Sequence, residues 1–514
     1  MEIAVFAEQP PPGGVLTGMP IHAPFRKPFR AALAALCLAV AAPALTAPAP
    51  ATAGLLDNVL SGGVLSGGDE AALGAQEHPK ILAQFGGAVK DARLQGYVEQ
   101  LGRKLASTTA RAGEPWTFTV LDSDVVNAFA VPGGYVYVTR GLLALAKDEA
   151  EVAGVLAHEI AHITARHSAQ RQTRQTIAGI LAAGVGLVFG NDTLAQLAGL
   201  GGTAVVASYS REQELEADQL GVETLRRAGY DPFAMATFLE TLRRDSQYAG
   251  LRSGNRGGGG FDFFASHPAT EERVQRAADL ARAIPAGGAR PRDPYLAAVD
   301  GMVYGDSPEN GYVRDRTFAH PQLGIAFTVP QGYSLLNGAE QVIAKGPNGA
   351  AMAFDGGSAA GVSDPASFLT GVWGKGANLS NLQRITIGGM PAATATTRGE
   401  AEGGSADIRL VAIRMPDGKM YRFTFLAPAG NLARFDADFQ ATANSFHQLT
   451  AQDAARYRPR RVQVATVQPG DSVAGFVRRM PQEPYAEELF RIINDLPPGT
   501  PLQPGQQVKV IVGE

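Results

Sequence analysis

The sequence predicts an α+β fold: a mainly helical domain around a small β-sheet, then a strand-rich α+β domain, then a small β-α-α-β module. Three observations predict it. The chain has 514 residues, 45% hydrophobic and 18% charged, which is too long for one ordinary domain and too apolar for disorder. Its hydrophobic period switches from helical to strand-like and back between residues 75 and 285 without regular β-α alternation. A Pro/Gly/Arg segment, "AIPAGGARPRDP" (283 to 294), then precedes a region in which short strand patterns dominate.

The N-terminus bears on compartment. Arg26, Lys27 and Arg30 precede the apolar run "AALAALCLAVAAPAL" (31 to 45) and the small residues "TAPAPATAG". This is the pattern of a secretory signal peptide, assigned to residues 1–53, with cleavage near Ala47 or Ala53 and Met19 as an alternative initiator. Its apolar core is shorter than the roughly 20 residues that a membrane span needs. Cys37, the chain's one cysteine, lies inside that run. The mature chain is therefore expected to lack thiols, and any metal site must use His, Asp and Glu. Removing residues 1–53 leaves 42 basic against 47 acidic side chains, and such a mildly acidic balance argues against a nucleic-acid partner. Residues 54–74 read as a flexible mature N-terminus.

From residue 75 to about 112 apolar residues recur three and four apart, as in a helix. "WTFTVL" (116 to 121), "VVNAFAV" (125 to 131) and "YVYVT" (135 to 139) follow as strands, the last two joined by the turn Pro132-Gly133-Gly134. Helical spacing resumes at 147 and runs to 167. The apolar stretch "IAGILAAGVGLVFG" (177 to 190) is too short to span a bilayer and reads as a buried core helix, with peripheral membrane association as the alternative. Residues 286–310 read as a linker. The strand patterns "GIAFTVP", "QVIAKG", "AMAFDG" and "RITIGG", and a hairpin at Asp417-Gly418, define a second domain over 311–449. A third unit spans 462–514.

The segment "HEIAHITARH" (158 to 167) holds three of the chain's eight histidines. On a helix, positions four apart turn about 400°, so His158 and His162 project from nearly one face within joint reach of an ion. Glu159 can then act as general base on the water that the ion acidifies, the logic of H-E-x-x-H. The alternative is a solvated helix face. His167 is nine residues from His158, about 180° around the helix, and should not be a ligand. A third histidine of the x-x-G-x-x-H type is excluded, because Ala165 and Ser168 stand at those positions. No glutamate occurs from 160 to 211; four acids then come in "SREQELEAD" (210 to 218). Ser210 and Gln213 form a capping box, placing these acids in the first turns of a helix. Glu214 and Asp218 share a face, and Glu216 points about 200° away from Glu214. Glu214 as third ligand, with Asp218 orienting a histidine, suits a two-histidine, one-carboxylate site for one zinc ion. The alternative is an acidic helix start favoured by the dipole.

"VNAFAVPGGYVYVTRGLL" (126 to 143), "HEIAHITARH", "SREQELEAD" and "SHPATEERV" (266 to 274) resemble, in order and wording, the gluzincin peptidases of the CAAX-prenyl-protease and HtpX family, especially their soluble periplasmic, BepA-like branch. The resemblance covers about residues 75–285. It implies a zincin-type domain and a zinc endopeptidase in which His158, His162 and Glu214 bind metal, Glu159 is the base and Asp218 supports the site. It further implies that Asn127, Ala128 and Phe129 with Tyr135, Val136 and Tyr137 form the edge along which a substrate backbone pairs. That branch carries helical tetratricopeptide repeats after the peptidase; this chain has none, which leaves its partners open. His267 follows a loop containing four successive glycines, Gly257 to Gly260. It is read either as a helix-entrance residue or, as relatives with S-H-P near the metal imply, as a catalytic-site residue that plugs the zinc or stabilises the oxyanion.

The third unit is similar to a LysM module, with "VQPGDSVAGFVRRM" opening and "TPLQPGQQVKVI" closing it, which implies contact with peptidoglycan. The middle domain looks PsbP-like in architecture only. The reading reached is an exported, periplasmic zinc metalloendopeptidase acting on unfolded or misassembled envelope proteins. Its rivals are a chaperone-like assembly factor or wall-anchored scaffold with a latent site, and a cell-wall hydrolase.

Overall fold

The computed structural model describes residues 67–167, 209–252, 267, 270–359, 361–401 and 404–513. The expected signal peptide at 1–53, the apolar stretch 177–190 and Gly257 to Gly260 lie outside them. No helix among the described residues is long and apolar enough to cross a membrane.

Helix α1, Gly67–Gln84, opens with Asp69 and Glu70, acids that suit a helix start. It begins inside the segment expected to be a flexible N-terminus. The reason is tertiary: Glu70 is buried and paired with Arg111 at 2.7 Å, while Ile81 packs with Phe129, Val131 and Tyr137. In α2, Ala92–Ala106, Asp91 caps the first turn and Leu94, Val98, Leu101 and Leu105 form the buried stripe.

The strands β1 (Thr117–Leu121), β2 (Ala128–Val131) and β3 (Tyr135–Thr139) form a sheet of order β1-β3-β2, β1 parallel to β3 and β2 antiparallel to it. The turn between β2 and β3 demands glycine: Gly134 has φ +85°, and a Cβ there would stand 2.0 Å from the Pro115 carbonyl oxygen. This order corrects the expected substrate edge. β3, with Tyr135, Val136 and Tyr137, is central and paired on both sides, so its backbone cannot also pair with a substrate. The outer edge of β1 is occupied too: Gln95 Nε2 donates to the Phe118 carbonyl at 2.7 Å, Val120 N donates to Gln95 Oε1 at 2.9 Å, and Val89 N donates to the Val120 carbonyl at 2.9 Å. Within this sheet β2, with Ala128 and Phe129, is the other outer strand, and its residues are buried.

Helix α3 (Arg140–Leu145) leads to α4 (Glu149–Thr164), whose N-cap Asp148 accepts from Glu151 N. Every residue of α4 from Ala150 to Ile163 is buried. α5 (Arg211–Arg227) opens on the Ser210/Gln213 capping box and packs on α4. Gly221 permits the approach: a Cβ there would lie 3.4 Å from His158 N and 2.7 Å from Met235 Cε. α6 (Phe233–Arg252) and α7 (Glu271–Arg282) complete the layer.

The expected linker at 286–310 is not a free connector. It contains α8 (Asp293–Val299) and β4 (Val303–Tyr304), anchored by the fully buried Tyr295, whose hydroxyl donates to the Leu143 carbonyl at 2.7 Å. In the middle domain the strand patterns fall in strands, and Asp417-Gly418 turns the hairpin Gly404–Arg414 to Met420–Pro428. Met390–Ala401 is a further strand that sequence periodicity missed; its small Ala392, Ala393 and Ala395 are core positions. Residues 460–512 run strand, helix, helix, strand: Arg460–Thr466, Val473–Val477, Ala486–Asn494 and Gln507–Val512. The two strands pair antiparallel, and the first also pairs with β4. This unit is not a detached tail, since Val462, Phe490 and Val510 share one core with α2, α4 and β3. Buried Lys509 donates to the Ala144 carbonyl at 2.6 Å and to Tyr295 Oη at 2.8 Å.

Candidate metal centre

Four side chains from three segments converge: His158 and His162 on α4, Glu214 on α5, and His267, all buried and with donor atoms within 4.8 Å of one another. His158 Nε2 lies 3.0 Å from His162 Nε2, 3.3 Å from His267 Nδ1 and 3.5 Å from Glu214 Oε2. Glu214 Oε1 is 2.9 Å from His267 Nδ1 and 3.5 Å from His162 Nε2. Nitrogen and oxygen donors about 2.0–2.1 Å from one tetrahedral zinc stand about 3.3–3.4 Å apart, so the spacing fits such an ion.

The outer ring nitrogens sharpen that test. His158 Nδ1 is 3.0 Å from Asp218 Oδ1, the carboxylate partner expected of a ligating histidine. His162 Nδ1 lies 2.9 Å from His167 Nδ1. With protons directed outward, the inner nitrogens face one another as lone pairs, an arrangement that requires a cation between them. The buried carboxylates and imidazoles also act on one another's charge. Burial pulls His158 down, yet the carboxylates of Asp218 and Glu214 override it and push it up to about 9. Burial and then the charge of His158 hold His162 well below its ordinary value. Burial would raise Glu214, but His267 and His158 hold it well below the usual carboxylate range.

Glu159 lies beside the cluster, 1% exposed, and among the described residues neither of its oxygens has a hydrogen-bond partner. Burial raises it, against the pull of His267 and His158. Its Oε1 is 3.7 Å from His267 Nε2. A carboxylate held without a hydrogen bond in a dry site is a proton acceptor waiting for a donor. Asn127, on the approach to β2, is also buried, with Oδ1 unpartnered among the described residues. Tyr137 instead belongs to the core, its hydroxyl 2.8 Å from His78 Nδ1.

Two residues escaped the sequence reading, and a third was read only as a non-ligand. Arg273, buried in the first turn of α7, forks onto Asp218 at 2.8 and 2.7 Å and reaches Glu214 Oε2 at 2.7 Å. It lies in the "SHPATEERV" segment already singled out, but one arginine in an acidic helix start reads as surface. Tyr209 stacks on His162 with ring centroids 3.8 Å apart. His167, set aside by helix geometry, faces His162 because the helix ends before it.

Residues 92–281 match the model of Peptidase family M48. The chain is 33% identical over 266 residues to a putative beta-barrel assembly-enhancing protease of Vibrio cholerae, covering 49% of this chain and 52% of that protein. It is 32% identical over 172 residues to the metalloprotease LoiP of Escherichia coli, covering 32% of this chain and 63% of the relative. The chain thus spans only about half the length of the first of these. Among solved structures, that of cyanobacterial PsbP from Synechocystis aligns with 28% of this chain and 98% of its own, at 16% identity and a TM-score of 0.20.

Proposed function

We propose that this chain is an exported, periplasmic zinc-dependent metalloendopeptidase that hydrolyses unfolded or misassembled cell-envelope proteins. The observation that carries the reading is the buried Glu159 carboxylate, without a hydrogen-bond partner among the described residues, beside four convergent metal donors. The family match over 92–281 and the relatives' names support peptidase chemistry and an envelope setting.

His158, His162 and Glu214 would hold the ion, which supplies polarisation of the scissile carbonyl and acidification of water. Glu159 takes the proton from the attacking water and returns it to the leaving amine. Asp218 holds His158 in its ligating tautomer, and Arg273 holds Asp218 and Glu214 in place. An extended substrate would pair with the outer edge of β2, at Ala128 and Phe129, beside Asn127. His267 supplies a fourth donor. A catalytic zinc keeps three protein ligands and one open position, whereas four protein ligands close it, so His267 would act as a plug on a bound ion. The closed set also favours the rival reading, a chaperone-like assembly factor or scaffold with a latent site. The strand-helix-helix-strand order of 460–512 supports peptidoglycan contact through a LysM-like unit.

The test is digestion of unfolded casein by the purified chain. Activity is expected to vanish on chelation and return with zinc, with no muropeptide release from cell walls; casein left intact in every condition rejects the peptidase reading. His267→Ala is expected to raise casein turnover, because it removes the fourth donor and opens the position that substrate needs. A fall in turnover with zinc retained assigns His267 to the transition state instead.

A further inference from the structure

His162 has an outer partner that no general rule of H-E-x-x-H spacing provides. α4 ends at Thr164 with Ala165 as its cap, and Arg166 then takes a left-handed conformation, φ +55°. That single reversal sends His167 back over the helix end instead of on around it. Several contacts hold it there: Arg111 donates to the Ile163 carbonyl at 2.8 Å, Arg166 Nε lies 3.4 Å from Glu70 Oε1, and Gln213 Nε2 donates to the His167 carbonyl at 3.4 Å. His167 is fully buried, with Nδ1 2.9 Å from His162 Nδ1 and Nε2 3.2 Å from Glu216 Oε2. Glu216, with 59% of its side chain exposed, reaches the surface.

We propose that His167 is a positioning residue for the metal centre, fixing His162 as a ligand through a relay that ends on the surface carboxylate of Glu216. The tautomers follow from the contacts. When His162 Nε2 presents its lone pair to the cluster, its proton lies on Nδ1 and is donated to His167 Nδ1. His167 then carries its own proton on Nε2 and donates it to Glu216. Every ring nitrogen in the chain is used once, and neither imidazole needs a charge. The two histidine ligands are thus supported differently. At its outer nitrogen His158 meets a buried carboxylate directly, whereas the outer nitrogen of His162 reaches a carboxylate only through a second imidazole. Loss of a partner of this kind typically costs about 10–100-fold in metal affinity.

The inference rests on the metal reading above, though not on peptidase activity. It is tested by zinc competition against the chromophoric chelator 4-(2-pyridylazo)resorcinol on the full chain. The parent should bind one zinc. His167→Leu, which fills space but offers no hydrogen bond, should bind it about 10–100-fold more weakly. His167→Gln should recover most of that affinity, since its carbonyl accepts from His162 while its amide donates to Glu216. Glu216→Ala, a change at an exposed side chain, should weaken zinc by a smaller factor. Equal losses in the Leu and Gln variants, or parent-like affinity in Leu and in Glu216→Ala, overturn the relay. A parent that binds no zinc overturns the metal reading itself.

Discussion

Glu159→Gln is expected to lower casein turnover by about 10²–10⁴-fold, the usual contribution of a general base, while zinc remains bound. Glutamine keeps the volume and burial of the side chain but cannot take a proton. Because Glu159 has no hydrogen-bond partner among the described residues, the change should leave no neighbour stranded, so stability should move little. Turnover and metal content measured on the same preparation decide the matter. Parent-like turnover would remove Glu159 from the base role, and lost zinc would make it structural.

Arg273→Ala is expected to destabilise the folded chain by about 3–5 kcal/mol, as removal of one partner from a buried charge pair does. Arg273, Glu214 and Asp218 are each 3% exposed or less, so the two carboxylates left behind gain no water in exchange. Arg273→Lys should recover only part of the loss, because an ammonium cannot reproduce the fork onto Asp218. The pH dependence has a definite sign. Burial would raise Asp218, but its bonds to Arg273 override this and hold it below its ordinary value. Its stabilisation is therefore present above the normal aspartate range and lost as pH falls through the depressed folded value. Denaturant titrations across that range should show this acid loss shrinking in Arg273→Ala. Stability and zinc affinity unchanged from the parent would show that Arg273 does not hold the carboxylates.

The legible part of the site was local in sequence. His158, Glu159 and His162 occupy one helical turn, and Glu214 with Asp218 another, so spacing alone aligned each set. The strands Thr117–Leu121, Ala128–Val131 and Tyr135–Thr139 were legible in the same way, from β-branched and aromatic runs around Pro132-Gly133-Gly134. Their order was not. Both Val136 and Ala130 look suitable for an edge, and only the assembled sheet places Val136 at its centre.

Sequence by itself determined which residue types stand four apart, where helices start on capping residues, and that no other cysteine accompanies Cys37. Those features depend on local backbone geometry, whose period is constant. What the tertiary structure decided depends on departures from that period and on distant pairings. One left-handed residue, Arg166, turned His167 from the far side of the helix onto His162. Burial of Arg273 between Glu214 and Asp218 came from packing α7 against α5. Burial of Lys509 against the Ala144 carbonyl joined the C-terminal unit to the same core as the metal centre. A charge is affordable inside a protein only where distant groups supply partners, and that condition cannot be read from spacing along the chain.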